Sequence, residues 1–480
     1  MKKHILSLLL AAGLLTACGD SFLDKKPSTQ LPTSEAITTL DDVKHAVDGL
    51  YSLMASTYYY NASMFLYGDL KADDMQATSW AGGTVLSFYN YEHSTDVPND
   101  GGLWGRPYYI VRNAWNIIEA MDAGKITDAT AEEMNDYRGQ ALAAIALAHF
   151  DMTRVFGYPY AKDNGASWGV AIVDHAIGDD EHPNRSTVAD CYQFVIDRLK
   201  EAIPLLLTDK HDGHINAYAA RALLARAYLY CERNEEAYDT ADELIRELEA
   251  NGLYSLASNE DYLAQFDLDN KFGQEALFQI ANTTSSNPGR DGISYLYHWW
   301  GQAYVLMTTD FMDFIRQDPD DVRAGIVATC ASDRASDVLL KYPGTVFETP
   351  SNENNYTVVR LSEVYLIAAE AGVKAGGSRA TGGLAYLNRI VERGNPANTV
   401  AEADYTLDRV LDERRRELVG EGHRYFDMLR NGRTIYRSGG NHLMGTPAEV
   451  NWDYEKCILP IDRDQFTFCP DMPQNPGYLK

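Results

Sequence analysis

The stretch from Ala217 to Leu248 constrains the fold more than any other part of the chain. Ala219 to Tyr230 is Ala-rich and periodic, and a polar turn follows at Glu232 to Asn234. Ala237, Tyr238, Ala241, Leu244, Ile245 and Leu248 then fall on one stripe, which ends at Asn251-Gly252. Apolar residues at this spacing form an amphipathic helix, and small Ala side chains let two such helices approach closely. The segment predicts two helices of about twelve to fourteen residues, the physical content of a tetratricopeptide unit. A pair of this kind buries its apolar face only by stacking on neighbours.

The pattern recurs. Thr39 precedes Asp41 and Asp42, and Val43, Ala46, Val47, Leu50, Tyr51 and Met54 follow on one face, as in an N-capped helix. Pro107 suits the first turn of another helix carrying Tyr108, Val111, Trp115 and Ile118. A third carries Leu142, Ile145, Ala146, His149, Thr153 and Phe156 and stops near Gly157 and Pro159. Further periodic runs lie at Leu361 to Ala369, Leu384 to Val391 and Leu407 to Leu418. No strict repeat length holds, so these are degenerate units of a larger domain. Strand signals are sparse, with Phe278 to Ile280 and Val338 to Leu340 the candidates. The fold class expected is mainly α: a tetratricopeptide-like helical-pair scaffold, an α superhelix, with long ligand-binding loops and a few short strands.

The N-terminus is a processing segment. Lys2 and Lys3 precede an apolar run from Ile5 to Leu15, too short to span a bilayer. Leu15-Thr16-Ala17-Cys18 resembles a bacterial lipoprotein lipobox, which implies cleavage before Cys18 and lipidation of that Cys. Several acyl chains on one residue anchor firmly. The expected division is a signal peptide over 1–17, a lipid-anchored tether over 18–38 and a single domain over 39–480, with halves at about 39–255 and 256–480. Cleavage removes Lys2 and Lys3, taking the net charge from −27 to −29. An excess of acids of this size excludes a polyanion binder held by a general positive field. Five Cys remain, an odd number with no C-x-x-C spacing. The exported location permits a disulfide, with Cys457 and Cys469 the leading pair, and buried free thiols are the alternative.

Glu413-Arg414-Arg415-Arg416-Glu417-Leu418-Val419-Gly420-Glu421-Gly422-His423-Arg424-Tyr425-Phe426-Asp427-Met428-Leu429-Arg430 resembles the C-terminal signature of the SusD/RagB family of nutrient-binding outer-membrane lipoproteins. Met428 stands where Leu is usual. Arg360 to Ala371, Phe22-Leu23-Asp24 with Pro27, and Trp104 followed by Tyr108, Ile110 and Asn113 are similar to other family stretches. Asp412, Glu413 and Arg416 are helical neighbours, and Arg424 and Asp427 lie one turn apart. Such a network suits a structural polar joint between helices rather than a binding site. The resemblance implies a helical scaffold on one side, ligand loops on the other, and a lid-like position on a TonB-dependent β-barrel transporter. It implies nutrient capture at the outer membrane, lipid-anchored and facing the exterior, with no covalent chemistry and no cofactor. Family ligands are mostly oligosaccharides and sometimes peptides.

Sugar rings have apolar faces and polar rims, so a glycan site needs exposed aromatic planes flanked by hydrogen-bonding side chains. Of 7 Trp, 31 Tyr and 15 Phe, two loop regions concentrate candidates. The first holds Asp73, Trp80, Tyr89, Tyr91 and Asn99; the second holds Arg290, Tyr297, Trp299, Trp300 and Tyr304. Trp299 and Trp300 must point in different directions, so one is expected exposed and the other packed. Tyr58-Tyr59-Tyr60 is expected to bury one ring and expose two, and Trp104 is expected in the core. Asp73-Asp74 are candidates for holding hydroxyls or a cation. No H-E-x-x-H, G-x-S-x-G or P-loop occurs, so an enzyme is not expected; a tethered glycan hydrolase is the remaining enzymatic alternative, and a peptide binder is the non-enzymatic one.

Overall fold

A computed structural model describes residues 36–178, 180–210, 213–330, 336–344, 353–439 and 441–480. Cys18 and the expected signal segment and tether, up to residue 35, lie outside the described residues. The helices are α1 (Leu40–Met54), α2 (Ser63–Leu70), α3 (Gly83–Asn90), α4 (Gly105–Asp122), α5 (Ala131–Phe156), α6 (Val188–Ala202), α7 (Ala217–Tyr230), α8 (Asn234–Asn251), α9 (Ile293–Tyr297), α10 (Thr309–Ile315), α11 (Leu361–Ala375), α12 (Gly377–Gly394), α13 (Leu407–Leu418), α14 (Arg424–Arg430) and α15 (Gln465–Phe468). None of them is long and apolar enough to cross a membrane.

Local chemistry sets many of the helix starts. Thr39 Oγ1 accepts from Asp42 N at 3.2 Å while Asp42 Oδ2 accepts from Thr39 N at 2.9 Å, a reciprocal capping box. Thr130 and Glu133 repeat it at α5. Thr187, Asn216, Thr308 and Thr406 cap α6, α7, α10 and α13 in the single-sided form.

Helices α4 to α8 pack in succession, and α8 then packs on α11, which pairs with α12. The pair expected over Ala217 to Leu248 is α7 and α8, with Ala220, Ala227, Ala237 and Ala241 fully buried. Its next neighbour in the stack lies more than a hundred residues on, because a loop-rich insertion separates α8 from α11. That insertion is why no fixed repeat length is visible in the sequence.

The strands form two-stranded antiparallel ladders. They pair β1 (Met75–Ala77) with β5 (Val305–Met307), β2 (Trp168–Ala171) with β3 (Arg185–Thr187), β4 (Ala276–Ile280) with β8 (Tyr356–Arg360), β6 (Val327–Cys330) with β7 (Ser336–Leu339), and β9 (Ile435–Tyr436) with β10 (Glu449–Val450). Both strands anticipated from sequence are present, in β4 and β7. Cys457 and Cys469 are free thiols, the former buried.

The C-terminal signature forms a buried polar joint, but its main partners are distant in sequence. Glu417 meets Arg360 and Arg393, each at 2.7 Å, and Glu421 meets Arg360 at 2.9 Å and Lys341 at 2.6 Å. Arg414 pairs with Asp427 at 2.8 Å, and Arg430 pairs with Asp427 and Glu370. The local pair Arg416–Glu413 is longer, at 3.7 Å. Buried charges persist only when paired and hydrogen-bonded, and this joint locks α11, α13 and α14 to β8.

Candidate ligand-binding site

The two aromatic loops meet because β1 pairs with β5, in the register Met75↔Met307 to Ala77↔Val305. Thr78 N donates to Tyr304 O at 2.9 Å and extends the pairing. Beyond it the Trp80 indole donates Nε1–H to Gln302 O at 3.2 Å. Between the loops lies an open groove of about 280 Å³. Ser63 and Leu66 of α2 contribute its floor, Gly82 to Val85 one wall, and Asp291, Leu296, Gln302 and Tyr304 the other. Tyr58 borders it, with more than half of its surface exposed.

Several features hold this shape. Gly83 has φ +55°, a left-handed conformation that favours glycine, and a Cβ there would meet only open space. The wall at Gly82-Gly83 is therefore low. Asp100 accepts from Gly102 N at 2.9 Å and Trp104 N at 3.0 Å and fixes the entrance to α4; burial raises its carboxyl above the usual range. From the last turn of α2, Asp69 accepts from Tyr297 Oη and from Gly422 N, both at 3.0 Å. Burial pushes the Asp69 carboxyl up to about 8, against those two bonds.

The structure sorts the sequence candidates. Tyr304 lines the groove and Trp80, 40% exposed, stands beside it. Trp299 is 46% exposed on the second loop, and Arg290 is exposed there with its guanidinium 5.9 Å from the Tyr295 ring centre. Trp300 is half-buried, donating Nε1–H to Pro343 O at 2.9 Å. Asn99 adopts φ +48° and donates Nδ2–H to Glu92 O at 2.7 Å, so it shapes the first loop.

Four expectations are corrected. Tyr89 is buried beneath Arg437, with its hydroxyl on His442 Nδ1 at 2.8 Å. Tyr91 is buried under Lys71, whose Nζ is 3.5 Å from the ring centre. Tyr297 is buried against Asp69. Asp73 is spent on Arg424, and Asp74 on Arg415 at 2.6 Å, so neither waits for a hydroxyl or a cation. The Tyr58-Tyr59-Tyr60 expectation also inverts: Tyr59 and Tyr60 are buried, both donating to Asp151 Oδ2 at 2.6 Å, and only Tyr58 is exposed. Trp104 is half-buried and packs edge-on against Phe156 at 4.9 Å. Gln302 and Thr84 line the groove with no sequence signal to find them, since neither stands in a motif or a periodic pattern.

Comparison with known proteins bears on this architecture. A family model described as "SusD family" matches residues 336–478, and one described as "Starch-binding associating with outer membrane" matches residues 21–229. A SusD superfamily protein from Bacteroides vulgatus is 50% identical in sequence, and the alignment covers 92% of this chain and all of that one, with a TM-score of 0.90. The chain belongs to the SusD family. A SusD-like protein of Bacteroides ovatus is 26% identical over 472 residues, covering 89% of this chain and 82% of that protein. The same fold, at 20% identity and TM-score 0.72, occurs in surface glycan-binding protein A from Bacteroides thetaiotaomicron in complex with laminarihexaose, over 91% of this chain and all of that one. The helical scaffold of this SusD family member thus agrees with solved relatives, and the groove lies between its two aromatic loops.

Proposed function

We propose that the protein captures an oligosaccharide in the groove between the Trp80 and Tyr304 loops and delivers it to a TonB-dependent β-barrel transporter of the outer membrane. The observation that carries this reading is the groove itself, where the β1–β5 pairing brings the two loops together: the exposed Tyr58 and the half-buried Tyr304 line it with Thr57, Ser63, Thr84 and Gln302, and the exposed Trp80 bonds to Gln302 at its wall. Among the described lining residues there is one carboxylate, Asp291, and no base. A neutral, hydroxyl-rich ligand suits such walls better than a peptide, whose termini and side chains carry charge. A single lining acid also speaks against two-carboxylate glycoside hydrolysis in the groove. The relatives give further support: one family description names starch binding at the outer membrane, and a structural neighbour holds laminarihexaose.

Lipidation at Cys18 would tether the domain to the membrane while leaving it in solution. Calorimetric titration of the mature protein with laminari-, malto- and xylo-oligosaccharides, in parallel with peptides, tests the ligand class. Binding to peptides alone would overturn it, and release of shorter sugars by the purified protein would overturn the non-enzymatic reading. Membrane fractionation of Cys18→Ser tests the anchor: the variant should leave the outer-membrane fraction. Co-purification with a β-barrel transporter tests the delivery step.

A further inference from the structure

A second concavity, of about 490 Å³, is lined by the first turn of α4. Trp104, Tyr108 and Tyr109 form one wall, and Phe468 and Met472 of the C-terminal segment form the other. Glu181, His182 and Gln465 contribute polar groups. The walls are fixed by packing. The Tyr108 hydroxyl donates to Ala171 O at 2.8 Å, Trp104 packs edge-on against Tyr108 at 5.0 Å, and the His182 ring lies 5.5 Å from Phe468. Tyr109 is nonetheless 50% exposed and Phe468 62% exposed.

The exposed Trp, Tyr and Phe side chains of the described residues are Tyr58, Trp80, Tyr109, Trp168, Trp299, Tyr436 and Phe468. Three of these stand at the groove or its loops and two at this cleft. Residues at the start of α4 reach both concavities. Tyr58 borders the groove, Gly102 packs directly on its side chain, and the Arg106 guanidinium lies 6.0 Å from its ring centre. A helix with its side chains is about 10 Å across.

We infer that the cleft is a second carbohydrate subsite, which takes the further units of a chain whose first units lie in the groove. The inference rests on the glycan reading of the groove. An extended oligosaccharide leaving the groove passes the exposed Tyr58 ring and reaches Tyr109 within one helix width. There its ring faces meet Tyr109 and Phe468, and its hydroxyls meet His182 and Gln465. Pockets that enclose a drug-sized ligand measure about 300–1,000 Å³, so the cleft has space for a few pyranose rings. A lipid acyl chain would leave the polar rim without partners.

The test measures tri- and hexasaccharides of the laminari, malto and xylo series on the unaltered mature protein and on the double variant Tyr109→Ala/Phe468→Ala. Both side chains are largely exposed, so the fold should tolerate their loss; circular dichroism checks this. The hexasaccharide that binds should do so at least tenfold more tightly than its trisaccharide. The double variant should lose that gain and keep trisaccharide affinity. A double variant that binds the hexasaccharide as well as the unaltered protein would overturn the cleft while leaving the groove intact. If the unaltered protein bound none of these sugars, the glycan reading of the groove would fail first and the subsite with it.

Discussion

Asp73 and Arg424, 351 positions apart in the chain, meet in a two-pronged ion pair, Nε to Oδ1 at 2.8 Å and Nη2 to Oδ2 at 2.9 Å. The pair ties the loop that opens the first aromatic region to the family signature. Burial alone would raise the Asp73 carboxyl; the Arg424 guanidinium overrides it and holds the group well below the usual carboxylate range.

Arg424→Ala should therefore cost about 3 kcal/mol at neutral pH, the lower end for breaking a largely buried pair. A carboxylate depressed on folding contributes stability above its unfolded pKa, about 3.9, and loses it as pH falls through the folded value. The cost of Arg424→Ala should thus shrink at pH 3. Denaturant unfolding at pH 7 and pH 3 measures both, and an equal cost at the two would refute the assignment.

Gly68→Ala should destabilise the protein by about 1–3 kcal/mol, the range for overpacking. A Cβ on Gly68 would stand 2.1 Å from Gly422 O, a backbone atom that cannot rotate away. Thermal unfolding reads the effect. A neutral substitution would mean that α2 and the signature can separate without loss.

Trp80→Ala and Trp299→Ala should each weaken oligosaccharide binding about tenfold, equivalent to about 1.4 kcal/mol, with little change in stability. Tyr297→Phe should do the reverse. It removes a donor from buried Asp69 and should cost about 1–3 kcal/mol of stability. Titration calorimetry beside unfolding curves separates the two classes, and a groove indifferent to both Trp changes would be assigned wrongly.

His175 should titrate above its ordinary 6.5. Its Nδ1 meets Asp174 Oδ1 at 2.7 Å and its Nε2 meets Glu181 Oε2 at 2.8 Å. The hydrogen bond to Asp174 is the larger cause of the rise, with Glu181 next. A raised folded pKa contributes stability that is fully present below 6.5 and is lost as pH rises through the folded value. The difference in Tm between the protein and His175→Gln should therefore be greater at pH 5.5 than at pH 8.5. Imidazole shifts followed by NMR give the pKa directly, and a value at or below 6.5 would contradict the bridging geometry.

The helices were legible because their causes are local. Thr39 with Asp42 caps α1, Ala at 220, 227, 237 and 241 permits close packing of α7 on α8, and Gly157 ends α5. The signature identified the family for the same reason, as a contiguous string. The ligand site was legible only as two regions. Trp80, Trp299 and Tyr304 stand in the same two stretches as Tyr89, Tyr91 and Tyr297, and nothing in the string separates the exposed rings from the buried ones. A Tyr ring serves either environment, since it packs on one face and hydrogen-bonds at its tip.

The sequence by itself determined the helical periodicity, the caps, the family and the two aromatic regions, because each is written within a few residues. Only the tertiary structure decided which rings face solvent, that Asp73 belongs to Arg424, and that β1 pairs with β5 to close the groove. Those outcomes depend on which segment covers which, and burial and pairing across hundreds of residues leave no trace in local spacing.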